Sequence, residues 1–258
     1  MVRDDRDSDI VLVPPGPLRH ARDMTETEVV PRTIAFVLYP GITVLDLVGP
    51  LQVFAQLDRL GMGFETVVVG AHTDPMPTDT ALRLCADRTF ADVPEPWLLC
   101  VPGGEEGTFR ALADPELIDW VRTASAAATW TTSVCTGSLI LGEAGVLTGR
   151  RATSHWVVRD RLLPVFGATP TPGRWVEDGD VITAAGVSAG IDMALHAVER
   201  IVGPEITAAL RLGIEYDPAP PHGPIDWTGV EPAMFEPMFT AMIEAGLADH
   251  PKLLAKLR

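Results

Sequence analysis

Short, almost wholly apolar runs that end on glycine or proline constrain this chain most. Thr33 to Tyr39 form one, stopped by Pro40-Gly41. "FETVVVG" (64–70) is another, and "WLLCV" (97–101) ends at Pro102-Gly103-Gly104. "TWTTSV" then stops at Cys135. Runs of this length bounded by breakers predict buried strands. Helical patterns alternate with them. "ITVLDLVGP" leads into a helix through "LQVFAQLDRLG", with Pro50 expected near its first turn. "DPELIDWVRTASAAA" (114–128) starts on Asp114 as cap and Pro115 as first helical residue. A further helix is expected from Cys135 to about Gly145.

The pattern continues downstream. "RATSHW" and "RWVEDGDVITAAG" predict later strands, the latter a pair joined at Asp178-Gly179. A small hairpin is expected near 81–90. "SAGIDMALHAVERIVG" (188–203) predicts a helix with Ser188 as cap and Gly203 as stop, and "PEITAALRLGIEY" predicts another. "DPAPPHGP" is a rigid connector before a helical tail. Apolar strands alternating with helices imply an α/β fold, a three-layer sandwich whose mainly parallel central sheet is covered on both faces. Such sheets put sites at the carboxyl ends of their strands. Asp46, Gly103-Gly104 and Cys135 all fall there.

Residues 1–30 hold many charges and little apolar periodicity, so a disordered or loosely packed extension is expected before the main domain, residues 31–225. Residues 226–258 are expected to be a helical extension packed on it. The net charge of −15 repels phosphate backbones and acidic membrane surfaces, so neither nucleic acid nor membrane is an expected partner. The three cysteines, Cys85, Cys100 and Cys135, do not make a disulfide framework. Free thiols and an N-terminus without a signal-peptide pattern predict a cytoplasmic protein. No spaced His, Cys, Asp and Glu set suggests a metal, and "PGGEEG" has neither the P-loop nor the dinucleotide spacing. No cofactor is expected.

Cys135 lies where a strand becomes a helix, with Ser133 two residues before and Gly137 two after. Small neighbours at those positions suit the sharp turn of a nucleophile elbow. The N–H groups of the following helix are expected to favour thiolate and to hold an anionic intermediate. A buried, inert cysteine remains the competing reading from the residues alone; it is the preferred one for Cys100 and Cys85.

"TSVCTGSLILGEAGVLTGRRATSHW" (132–156) resembles the ThiJ/PfpI superfamily, which has a flavodoxin-like fold of the class I glutamine amidotransferase type. "LYPGITVLDLVGPLQVFA", "PGG", "EDGDVITAAGVSAGIDMAL" and "IEYDPAPP" extend the resemblance over about 33–225, most closely to the isocyanide (isonitrile) hydratases. The resemblance implies Cys135 as nucleophile and Asp46 as the acid in contact with it; many other members carry Glu at that place. It also implies a homodimer. Asp46 stands among Val44, Leu45, Leu47 and Val48, where burial raises a carboxyl pKa. Superfamily peptidases and amidases often have Cys-His-Gly; this chain has Cys-Thr-Gly, with Thr136 offering a hydroxyl and an amide. Gly103 and Gly104 are expected to present N–H groups to a ligand. His155 and Trp156 are expected near the pocket.

The expected reaction is hydration of an isocyanide to an N-substituted formamide through a Cys135 thioimidate, with a small molecule as partner. The alternatives are a glyoxalase-type cysteine enzyme acting on 2-oxoaldehydes and a redox- or ligand-sensing member without catalysis. The DNA-binding module of the related AraC-type regulators is not expected, because the stretch after Pro221 is short and the chain is acidic.

Overall fold

The computed structural model describes residues 30–258. The expected N-terminal extension thus falls almost wholly outside the described residues. The strands among them are β1 (Arg32–Val37), β2 (Phe64–Gly70), β3 (Met76–Pro77), β4 (Arg83–Leu84), β5 (Arg88–Thr89), β6 (Leu98–Val101), β7 (Trp130–Ser133), β8 (Arg151–Ala152), β9 (Thr169–Pro170), β10 (Trp175–Asp178) and β11 (Val181–Ala184). The helices among them are α1 (Val44–Arg59), α2 (Glu106–Leu112), α3 (Pro115–Ala127), α4 (Gly137–Glu143), α5 (Trp156–Leu162), α6 (Ala189–Val202), α7 (Pro204–Gly213), α8 (Glu236–Gly246) and α9 (Pro251–Leu257).

The main sheet has seven strands in the order β10-β11-β7-β6-β1-β2-β5. Its neighbours are parallel except β10 and β11. Ile34 to Val37 and Leu98 to Val101 are buried on successive residues, as strands covered on both faces must be. Helices flank the sheet on both faces. α1 packs on α6, and α2, α3 and α4 form a second packed group, to which α8 adds by lying on α2. Phe239, Ile243 and Leu247 of the C-terminal segment are buried there.

The topology places the site. From β1 the chain moves to β2 on one side, and later returns to β6 on the other. The crevice beyond the carboxyl ends of β1 and β6 is therefore a topological switch point. The segments following β1, β6 and β7, which are neighbours in the sheet, carry Asp46, Gly103-Gly104 and Cys135.

Several local expectations are corrected. α1 begins at Val44, so Pro50 lies inside it and has no N–H to give the Asp46 carbonyl. The expected hairpin near 81–90 is two things: β3 pairs with β4, while β5 joins the main sheet parallel to β2. "RATSHW" is not a strand beyond Ala152; His155 is the cap position of α5 and Trp156 its first residue. The β10–β11 turn is Gly179-Asp180, one residue later than expected, with Gly179 at φ 67°. Ser188 adopts helical geometry and makes no side-chain cap. Asp114 does cap α3, accepting from the Glu116 and Leu117 amides at 3.0 and 3.3 Å.

The glycine at 137 is demanded by close approach. A Cβ there would collide with the carbonyl oxygen of Val101 and lie 2.7 Å from that of Pro102. Both are backbone atoms that cannot turn aside. Gly137→Ala is expected to lower stability by about 2–4 kcal/mol, read from the urea midpoint, because α4 must lift off the end of β6. An unchanged midpoint would contradict this packing.

Candidate active site

Cys135 is the point at which β7 turns into α4. Its φ is +57°, which is strained for a residue with a Cβ. The surroundings hold it there from every side. Its amide donates to the carbonyls of Ala184 and Ala185 at 3.2 and 3.0 Å. Its carbonyl accepts from the hydroxyls of Ser138 and Ser154, both at 3.1 Å. Val187, also at positive φ (24°), donates its amide to the sulfur. Cys135 is buried.

Asp46 comes from the first turn of α1 and is fully buried. Its Oδ2 accepts from the Gly103 amide at 3.0 Å. Its Oδ1 has no partner among the described residues. The carboxyl stands in hydrogen-bonding contact with the Cys135 thiol. Gly103 fits between the two segments only because it lacks a side chain. A Cβ there would lie 2.6 Å from Thr136 Oγ1 and 2.8 Å from Asp46 Oδ2.

Thr136 is the hub of a buried hydroxyl chain. Its Oγ1 accepts from the Gly104 amide at 3.1 Å and lies 2.8 Å from the Gly104 carbonyl. It is 2.8 Å from Thr108 Oγ1, which donates to the Gly104 carbonyl at 2.7 Å. Thr108 in turn lies 3.1 Å from the Tyr39 hydroxyl, which donates to the Pro102 carbonyl at 3.0 Å. Thr136 makes no side-chain cap for α4; its amide and hydroxyl face the sulfur instead. The expectation that Gly103 and Gly104 offer their N–H groups to a ligand is corrected. Both amides are occupied inside the protein, by Asp46 and Thr136.

Tyr39, Thr108, Ser154 and Val187 were not legible as site residues. Thr108 alone left a trace, as a hydroxyl four residues before Leu112 on the buried stripe of α2. The others act through contacts that no local spacing encodes.

His155 and Trp156 line a cleft of about 600 Å³. Leu45, Ser154, Gly186 and Val187 also line it. It therefore ends on neighbours of both Asp46 and Cys135. His155 Nδ1 is buried without a partner among the described residues, and burial pushes its pKa down, so the ring is neutral. It lines the cleft wall, and among the described residues no hydrogen bond joins it to the thiol.

The electrostatics reverse one expectation. The Cys135 thiol is pushed up from its ordinary pKa, first by burial and then by the Asp46 charge; the Val187 and Thr136 donors pull it down by less. Burial also pushes Asp46 up, to about 7, against the pull of the Gly103 amide and the thiol. The two titrate as a pair sharing protons. Thiolate becomes accessible when Asp46 takes the thiol proton, because the like-charge repulsion then vanishes.

A carboxyl raised from 3.8 to about 7 weakens the fold as pH rises between those values. The folded state binds the proton more tightly there, and above the folded pKa the full cost is present. Asp46→Asn keeps an acceptor for the Gly103 amide and removes that cost. It is expected to be more stable than wild type at pH 8 by up to about 4 kcal/mol, with the gap closing at pH 4, in denaturant titrations at both pH values. Equal gaps at the two pH values would contradict the buried, raised carboxyl.

The arrangement has relatives. An isonitrile hydratase of Pseudomonas putida is 42% identical over 188 residues, 73% of this chain and 80% of its own. The crystal structure of a ThiJ/PfpI family protein from Pseudomonas syringae is similar at 38% identity with a TM-score of 0.74, covering 92% of this chain and 97% of that one. A glutathione-independent glyoxalase of Caenorhabditis elegans is 25% identical over 57% of this chain and 79% of its own. The DJ-1/PfpI family pattern matches residues 32–200, which include the elbow, the acid and the glycine loop. The chain therefore belongs to the DJ-1/PfpI family.

Proposed function

We propose that the protein hydrates isocyanides to N-substituted formamides, using Cys135 as nucleophile and Asp46 as the group that carries the proton. The observation behind this reading is the fully buried carboxyl held against the thiol, with one oxygen that has no partner among the described residues. The similarity to a protein named isonitrile hydratase supports the choice of substrate.

Asp46 takes the Cys135 proton, and the thiolate attacks the terminal carbon of R–N≡C. The S–C bond forms, and the proton returns from Asp46 to that carbon, giving the thioimidate R–N=CH–S–Cys. Water then adds to the C=N bond; Asp46 accepts one water proton and passes it to the nitrogen, giving R–NH–CH(OH)–S–Cys. Collapse of the adduct breaks the C–S bond, releasing R–NH–CHO and the thiol. The amides of Thr136 and Val187 stabilise sulfur whenever it is anionic. A homodimer, and a reducing compartment that keeps Cys135 free, belong to the same reading.

The reactive form of the pair holds one proton. Below the Asp46 pKa of about 7 a second proton occupies it. The value of kcat/KM is therefore expected to rise about tenfold per pH unit up to that pKa and then level off. Cys135→Ala is expected to lose at least about a thousandfold in formamide production. Asp46→Asn is expected to lose both rate and the acid limb. Formamide from an isocyanide, assayed beside lactate from methylglyoxal, tests the substrate class. Lactate without formamide would replace this reading by the glyoxalase one.

A further inference from the structure

The cleft beside Cys135 has a wall from outside the family-matched segment. Ile225, Trp227 and Val230 line it, whereas the matched segment ends at residue 200. Trp227 packs on Trp156 with ring centroids 5.9 Å apart, and Trp156 on Phe235 at 5.3 Å. This anchors the wall to the first turn of α5, next to His155. Large apolar side chains nonetheless stay open to solvent here: Ile225 is 62% exposed, Trp227 54% and Leu45 41%. Exposed apolar surface gathered around a cleft marks a binding place.

The charged groups of the cleft are already matched. Arg159 makes a two-pronged pair with Asp160, at 2.8 Å on each side. Arg174 is paired with Asp192. The Ser154 hydroxyl is held by the Cys135 carbonyl, and Ser188 Oγ accepts from Arg174 at 3.4 Å. An ionic ligand would find no free counter-charge among these groups. Apart from the imidazole of His155, whose Nδ1 has no partner among the described residues, the side chains that remain are largely aliphatic and indole. A volume of about 600 Å³ suits a ligand of drug-like size rather than one of a few carbons.

We infer that this cleft selects isocyanides with a bulky, uncharged aromatic R group, and that Trp227, flanked by Ile225 and Val230, sets the preference by stacking on that group. The inference rests on the hydration reading for its reacting group alone. The R group would lie along the cleft with its terminal carbon toward Val187 and Cys135. It needs no bond change of its own, and it assigns the C-terminal segment a role in choosing substrate.

Equilibrium binding by isothermal titration tests this with two formamides, N-naphthylformamide and N-methylformamide, on wild type, Trp227→Ala and Trp227→Phe. The naphthyl compound is expected to bind at least about tenfold more tightly, and Trp227→Ala to reduce that ratio by about tenfold. Trp227→Phe, which keeps a ring, is expected to restore most of it. Equal affinities in wild type, or a ratio unmoved by Trp227→Ala, would overturn the inference. So would a Trp227→Ala variant that sediments at half the wild-type mass with its ratio intact, because Trp227 would then serve a contact between copies. The formamides are bound and not turned over. Failure of hydration would appear only in the turnover assay, separately from this ratio.

Discussion

A carboxyl buried against a thiol is the constraint around which the rest of the structure is arranged. Neither group tolerates its charge easily in that place, and together they cannot both be charged. The fold accepts the cost by bringing three neighbouring strands to one crevice. β1 delivers Asp46 through the first turn of α1, β6 delivers the Gly103 amide that steadies it, and β7 delivers Cys135. Above the Asp46 pKa of about 7 the pair then holds a single mobile proton. Moving it from sulfur to oxygen changes no net charge, so an interior of low polarity hinders that transfer far less than it hinders separate ionisation.

The close approach of these segments explains the small residues around them. Gly137 allows α4 to start against the carbonyls that end β6, and Gly103 allows the loop to pass between Asp46 and Thr136. The hydroxyls of Tyr39, Thr108 and Thr136 then satisfy the carbonyls of Pro102 and Gly104, which would otherwise be left without donors in the core. The strain at Cys135 is maintained by the same economy: both its backbone groups are bonded, so the turn has no easy way to relax.

The layers and the elbow were legible because they rest on local patterns. Runs such as "WLLCV" bury both faces and can be read one at a time, and Ser133 and Gly137 state the steric demand of the turn directly. The elements misread had competing local signals. Pro50 marks a helix start by its usual preference, yet α1 starts six residues earlier and carries the proline inside. "RATSHW" has strand-like composition, but the chain needs Ser154 to turn back to the Cys135 carbonyl, and the strand stops at Ala152. The glycine pair suggests donors facing outward. Which way an amide points depends on the partner strand, and here Asp46 and Thr136 claim both. The raised thiol pKa was missed for a related reason: a helix start was visible in the residues, whereas the depth of burial was not.

Threonine at 136 suits this arrangement of protons. The position is 2% exposed and is enclosed by Gly103, Gly104 and Thr108. An imidazole would not fit there without displacing the loop that steadies Asp46. It would also add a second titratable partner for the sulfur, and a permanent thiolate–imidazolium pair would not need Asp46 at all. The threonine hydroxyl donates without titrating. It leaves Asp46 as the ionisable neighbour of the sulfur, and on the proposed hydration the same carboxyl would be in place to protonate the carbon under attack.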